Sequence, residues 1–253
     1  MKTDTQLREI FHFCFLERLL KISDSKLYVL KGGVNLRFFF GSPRYSEDMD
    51  LDVLAGNVAT LKKNGYKILG AKAFQRSLRT YGIDDIKIND PAKAKQTETT
   101  QRFRVRLITT SGDQLPTKVE FSRRKKERVS SSYDLIDPEI ARTYKRVAFR
   151  CQHYTGDVAA LQKVEALACR SVVQARDVFD LGILHAGGFT NAPLIAKSLP
   201  KRIITKAQQN IISLGYDDFK GQVLEFLDDE EREHYDSASH WEALQNTVLR
   251  LFI

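Results

Sequence analysis

Residues 44–53 read RYSEDMDLDV, and the interpretation of the chain turns on them. Glu47, Asp48, Asp50 and Asp52 put four acidic side chains within six positions, and Met49, Leu51 and Val53 alternate with the last three. Alternation with a period of two predicts a β-strand. Residues i and i+2 of a strand point to the same face. Asp48, Asp50 and Asp52 therefore share one face, and the apolar trio packs on a core. Two carboxylates about 4 Å apart repel by about 4 kcal/mol at an effective dielectric of about 20. Water tolerates that repulsion on an open surface, whereas in a cleft a cation has to offset it. A solvated acidic face and a metal-binding face both remain open from this stretch alone.

The flanking residues narrow the choice. KLYVLKGG (26–33) predicts a short strand ending in Gly32 and Gly33, VNLRFFFG (34–41) one or two helical turns, and Gly41-Ser42-Pro43 a stop. A glycine pair leading into a helix lets the backbone approach a triphosphate, whose charge the helix N-terminus favours. Carboxylate oxygens nearby suit Mg²⁺, which binds one or two carboxylates together with substrate phosphates.

Elsewhere, TQLREIFHFCFLERLLKI (5–22) has helical apolar spacing, and residues 57–81 are expected to be helical. Residues 102–128 predict two strands, Arg102–Thr109 and Thr117–Phe121, joined at Ser111-Gly112-Asp113. From Pro138 onward the strand signal fades, and GDVAALQKVEALACRSVV and ARDVFDLGILHAGG read as helices. The expected architecture is α/β (α+β), with a mixed-sheet core over 1–137 and a helical region over 138–253. No internal repeat or low-complexity segment is present.

The 253 residues are enough for one large domain or two modest ones. The net charge of +8 and pI of about 9.3 suggest a polyanionic partner. Nothing at the start reads as a signal peptide, and FHFCFLERLL is too short and too charged to span a bilayer. Cys14, Cys151 and Cys169 form no CxxC pair, as expected for reduced thiols in a cytoplasmic protein without a membrane partner. The five histidines lack zinc-site spacing, and GxSxG, Walker A and GxGxxG motifs are absent.

YVLKGGVNLRFFFGSPRYSEDMDLDV (28–53) resembles the first motif of nucleotidyltransferases of the DNA polymerase β superfamily. More narrowly, it is similar to the AbiEii/AbiGii toxin family and its KGGTAL…YG…R(F/Y)SEDxD pattern. The resemblance implies a polymerase-β-like mixed sheet with a helical C-terminal region. It also implies Mg²⁺- or Mn²⁺-dependent transfer of NMP from a nucleoside triphosphate to an acceptor hydroxyl. Asp48 and Asp50 would hold metal, while Gly32, Gly33, Arg44 and Ser46 would bind nucleotide. The family usually has Thr or Ser where Val34 stands, so a phosphate-binding hydroxyl is missing. Asn35 or backbone N–H groups are the alternatives.

Two later segments also match. TKVEFS (117–122) alternates, with Glu120 facing away from Val119 and Phe121. Two-metal phosphoryl chemistry uses ions about 3.5–4 Å apart and usually needs a carboxylate from a neighbouring strand. By itself Glu120 reads as an ordinary surface residue of an edge strand. The family's (I/V)K(L/V)(E/D) strand implies that it completes the metal site and helps deprotonate the acceptor. LQKVEALACRSVVQARDVFDL (161–181) matches the family's K(L/V)xAL and (A/G)RDxxDL segments. Helical spacing puts Lys163, Ala166 and Arg170 on one face, and Asp177 near a helix start suits the dipole. The resemblance implies that Lys163 offsets triphosphate charge and that Asp177 acts in catalysis or orders the site. Asp180 and Arg176 read as structural partners.

The run RRKKER (123–128) offers Arg123, Arg124, Lys125, Lys126 and Arg128 either as a solvated loop or as a landing strip for RNA phosphates. It contains no aromatic residue for base stacking. Membership would imply the toxin of a bacterial toxin–antitoxin or phage-defence pair, an RNA acceptor such as a tRNA 3′ end, and a separately encoded antitoxin protein. The rival readings are a protein-modifying enzyme (adenylylation), a nucleotide-binding pseudoenzyme and a DxD glycosyltransferase. The last normally carries a longer nucleotide-binding region ahead of its motif than the fourteen residues between Gly33 and Asp48.

Overall fold

Residues 2–89, 97–123 and 130–253 are described by a computed structural model. The chain folds as two units: Met1–Asn35 with Tyr45–His153, and Leu36–Arg44 with Tyr154–Ile253.

The first unit is organised by a sheet of seven strands: β1 (Tyr28–Lys31), β2 (Met49–Val53), β3 (Ile83–Ile88), β4 (Thr100–Thr109), β5 (Gln114–Ser122), β6 (Ser131–Leu135) and β7 (Arg150–Tyr154). Their order is β3-β4-β5-β2-β1-β7-β6. β2 runs antiparallel to β1 and parallel to β5, while β4 is antiparallel to both β3 and β5. The accompanying helices are α1 (Asp4–Ile22), the start of α2 (Gly32–Phe39), whose residues from Leu36 on belong to the second unit, α3 (Val58–Gly70), α4 (Lys72–Arg79) and α5 (Pro138–Thr143).

Alternation along the central strands sorts their side chains. Met49, Leu51, Phe103, Val105, Leu107, Val119 and Phe121 are buried on one face. Full burial of such a side chain contributes about 1.5–3 kcal/mol. Helices α1 and α3 cover this face. The Phe121 ring meets Tyr28 and Phe103 edge-on at centroid distances of 5.7 and 5.8 Å, and Tyr66 of α3 meets Phe103 at 5.0 Å. Gly65 permits that approach, since a Cβ there would lie 2.4 Å from the Phe103 ring. Helix α1 starts in a capping box between Thr3 and Gln6, which satisfies otherwise orphaned N–H groups.

The α/β class is as the alternation indicates. The two expected strands are present as β4, which starts at Thr100 and not Arg102, and β5, which extends over Gln114–Ser122 and not only Thr117–Phe121. The helical stretch expected over 57–81 breaks at Ala71 into α3 and α4. β3, β6 and β7 were not expected, and β7 corrects the reading that strands cease after Pro138. SSYDL and RCQHY lack a clear apolar–polar alternation, so their strand identity comes from pairing at the sheet edge.

The second unit contains α6 (Gly156–Cys169), α7 (Ala175–Ala186), α8 (Ala192–Ser198), α9 (Lys201–Ile212), α10 (Tyr216–Gln222), α11 (Asp229–Tyr235) and α12 (Ala238–Arg250). Val164 and Leu167 of α6 are fully buried with Val178, Leu181 and Leu184 of α7. Phe219 stacks on Trp241 at 4.9 Å. Among the described residues no helix is long and apolar enough to cross a membrane. All three cysteines are free thiols.

Candidate active site

Strand register lays one charged row across the polar face of the sheet. Lys31 of β1 pairs with Asp50 of β2, Asp50 with Glu120 of β5, and Glu120 with Arg102 of β4. Directly paired residues project on the same side, one strand spacing of about 4.7–4.9 Å apart. Asp50 and Glu120 are therefore adjacent although seventy positions separate them in sequence. One step along, Asp48 approaches Lys118; one step the other way, Asp52 pairs with Ser122.

Of Asp48, Asp50, Asp52 and Glu120, three have a basic partner. Lys118 ion-pairs with Asp48 through its ammonium, and its backbone N–H donates to Asp48 Oδ1 at 3.1 Å. Arg102 Nε donates to Glu120 Oε2 at 2.6 Å. Lys31 ion-pairs with the buried Asp52. Asp50 is the exception: it has no hydrogen-bond or ion-pair partner among the described residues. Burial pushes its pKa up against the opposing pull of Lys118 and Lys31, and Glu120 and Asp48 push in the same direction as burial.

Gly32 stands beside this carboxylate. Its φ of +70° is in the left-handed region, and a Cβ there would lie 3.2 Å from Asp50 Oδ2. Glycine thus suits the left-handed backbone, and an added Cβ would press on the Asp50 carboxylate, which would have to give by a few tenths of an ångström. Gly32 and Gly33 open α2, whose first N–H groups have no intrahelical acceptor. Asn35 is fully buried, and its Oδ1 accepts from His153 Nδ1 at 3.0 Å. It therefore serves the interior of the unit.

The loop ahead of β2 is fixed from below. Ser46 Oγ donates to the Asp48 carbonyl at 2.8 Å, and Thr117 Oγ1 donates to the Glu47 carbonyl at 2.7 Å. Having given its proton to Glu47, Thr117 Oγ1 accepts from His12 Nε2 at 2.8 Å. Burial lowers the His12 pKa to about 4 despite Asp48, with Arg8 and Lys118 adding to the fall.

Among the described residues no three carboxylate, imidazole or thiol groups already converge as a metal-binding cluster. Asp48 and Glu120 are held by Lys118 and Arg102 instead. The donor set still fits a hard divalent cation: Asp50 is desolvated and unpaired, and two more carboxylates flank it on the same face.

The second unit holds a separate buried network. Arg44 donates to Asp180 through Nη2, 3.1 Å from Oδ1 and 3.0 Å from Oδ2, and through Nε, 3.2 Å from Oδ1. Lys163 Nζ donates to Asp177 Oδ1 at 3.0 Å and contacts Asp180 Oδ2 at 2.5 Å. Arg170 Nε approaches the other Asp177 oxygen at 2.8 Å. Asp177 and Asp180 are fully buried. Burial would raise the Asp180 pKa, but Arg44 and Lys163 together hold it below the usual carboxylate range. Lys163 and Arg170 do share a helix face, as their spacing predicts.

Arg123 donates to Gln101 Oε1 at 2.7 Å and to the Gly56 carbonyl at 3.5 Å. Arg124, Lys125, Lys126 and Arg128 lie outside the described residues. Sequence reading missed Lys31, Arg102 and Lys118 as partners of the carboxylates. The signal was the same alternation, because each occupies a position that register brings to the polar face.

A mixed sheet that seats acidic side chains of two parallel neighbours beside a glycine-opened helix defines a nucleotidyltransferase type of protein. Residues 14–251 match the family described as nucleotidyl transferase AbiEii toxin, type IV TA system. The chain belongs to that family, and is thus a nucleotidyltransferase toxin of a type IV toxin–antitoxin system. In fold it is similar to MenT4, a nucleotidyltransferase toxin from Mycobacterium tuberculosis H37Rv, with a TM-score of 0.67 and 18% identity over 98% of this chain and 84% of that one. It is also similar to JHP933 from Helicobacter pylori, with a TM-score of 0.57 and 20% identity over 100% and 94% of the two chains. No curated protein matches the sequence.

Proposed function

We propose that the chain transfers a nucleoside monophosphate from a nucleoside triphosphate to a hydroxyl of RNA, with a tRNA 3′ end as the specific acceptor, in the cytoplasm of a bacterium, and that an antitoxin protein opposes it. The observation that carries the reading is the unpaired Asp50, in register with Glu120 and 3.2 Å from the Cβ position of Gly32.

Asp48, Asp50 and Glu120 would hold Mg²⁺ or Mn²⁺. When bound, a divalent ion there supplies charge neutralisation for the triphosphate and acidifies the acceptor hydroxyl. The acceptor oxygen forms a bond to the α-phosphorus, and the bond from that phosphorus to the oxygen bridging to the β-phosphorus breaks. Pyrophosphate leaves with that electron pair, and the hydroxyl proton passes to Glu120. Gly32 and Gly33 let the α2 backbone approach phosphate oxygens without a side chain between. This backbone contact replaces the hydroxyl missing at Val34. Ser46 and Arg44 act by positioning, Ser46 on the Asp48 carbonyl and Arg44 in the buried network with Asp180. Lys163 and Asp177 order the helical unit through that network.

The test is transfer of ³²P from each α-labelled NTP to total RNA and, separately, to cell protein. Wild type is expected to label RNA, with loss of about 10²–10³-fold in Asp50→Asn, the usual cost of removing one electrostatic contributor. Label on protein alone would overturn the RNA acceptor. Undiminished labelling by Asp50→Asn would overturn the metal assignment.

A further inference from the structure

Beyond the catalytic row, β3, β4 and β5 carry a second set of charges on the same face. Arg104 and Arg106 follow Arg102 at alternate positions of β4, and all three project with Glu120. Register sets Arg104 directly opposite Lys118, and Arg106 directly opposite Lys87 of β3. Like charges directly opposite on a sheet face are destabilising, so folding itself does not favour either pairing. The cations of the catalytic row have local partners: Lys31 binds Asp52, Arg102 binds Glu120, and Lys118 binds Asp48. Lys87, Arg104 and Arg106 are exposed and have no ion-pair partner among the described residues. Asp85, two positions from Lys87, is the acidic group on this face at the β3 end. The strand positions of this face, 85, 87, 102, 104, 106, 108, 114, 116, 118 and 120, include no aromatic residue.

We propose that Lys87, Arg104 and Arg106 bind the phosphate backbone of the RNA acceptor and lead it toward Asp50 and Glu120. This rests on RNA being the acceptor. The face fits a regularly charged polyanion, because its free cations recur every second residue and continue the line of Arg102. It fits phosphate contact and not base reading, because stacking surfaces are missing. Sequence preference would have to arise elsewhere.

The experiment compares wild type with Lys87→Gln/Arg104→Gln/Arg106→Gln by binding of a labelled tRNA across a salt series. The control is Lys63→Gln/Lys67→Gln/Lys72→Gln, which removes equal charge from the helices covering the opposite face. Wild type and control should bind alike. The test variant should bind at least ~10-fold more weakly, with a log–log salt slope shallower by about 2, as expected for three lost single-strand phosphate contacts. Its KM for tRNA should rise, with kcat at saturating tRNA and NTP binding unchanged. Equal binding by test variant and wild type would overturn the surface and leave the transfer chemistry standing. Equal weakening in the control would also overturn it, reducing the effect to net charge. Failure of wild type to bind any RNA would overturn both the surface and the RNA acceptor.

Discussion

Asp50 is the residue at which stability and function pull apart. Its raised pKa means that the folded chain binds its proton more tightly than the unfolded chain does. The stabilising contribution is present below the ordinary aspartate value and is lost as pH rises through the raised one. Above the ordinary aspartate value the buried carboxyl is therefore a liability until a cation arrives. Asp50→Asn should raise stability at pH 7 without divalent metal by about 1 kcal/mol, the usual scale of a single-site change. Thermal melts should read this as a rise of about 2–4 °C in Tm. Added Mg²⁺ should raise the wild-type Tm and leave the variant unmoved, and a destabilised variant would contradict the account. Asp180 is the opposite case. Its carboxylate partners two buried cations, and removing it takes an anionic partner from each, leaving Asp177 as the carboxylate on Lys163. Asp180→Ala should cost about 3–5 kcal/mol in chemical denaturation, as for a broken buried pair. A loss below about 1 kcal/mol, the range of exposed pairs, would show that the network is hydrated.

At the scale of elements, the turn from β1 into α2 and the seating of α3 on β4 each depend on one missing methyl group. Gly32→Ala meets both a left-handed backbone and the Asp50 carboxylate. Gly41→Ala meets only the backbone term, at φ +64° with nothing within 4 Å of the added Cβ. Each should lose about 1–2 kcal/mol for the left-handed conformation, but only Gly32→Ala should also lose nucleotidyl transfer. Parallel assays of the two variants distinguish a site effect from a folding effect. Gly65→Ala drives a methyl into the buried Phe103 ring and should cost about 1–3 kcal/mol by overpacking. Truncating the ring as well, in Gly65→Ala/Phe103→Leu, should recover part of that loss, and urea melts of the pair measure the coupling.

For the whole molecule, acid should act first through His12. Its folded pKa of about 4 lies below the ordinary 6.5, so the unfolded chain binds more protons between those values. Stability must then fall as pH drops from about 6.5 to 4, by on the order of 3 kcal/mol at about 1.36 kcal/mol per pKa unit. Asp180 adds its own loss only below the ordinary aspartate range, since its pKa is depressed. His12→Gln should flatten the upper part of the Tm–pH curve and leave the lower part, and an unchanged curve would remove His12 from the account. Much of this molecule was legible in its residues. Alternation at 48–53 and 117–122 and the glycines at 32 and 33 are local patterns that a strand or a helix start imposes directly. The strands β3, β6 and β7, and the basic partners Lys31, Arg102 and Lys118, were not legible. Nor was the assignment of Leu36–Arg44 to the unit that resumes at Tyr154. The sequence by itself determined which side chains share a face, because the two-residue period of a strand is a local property. Only the tertiary structure decided which strands are neighbours and in what register, because hydrogen-bond pairing between distant segments joins residues that no spacing along the chain relates.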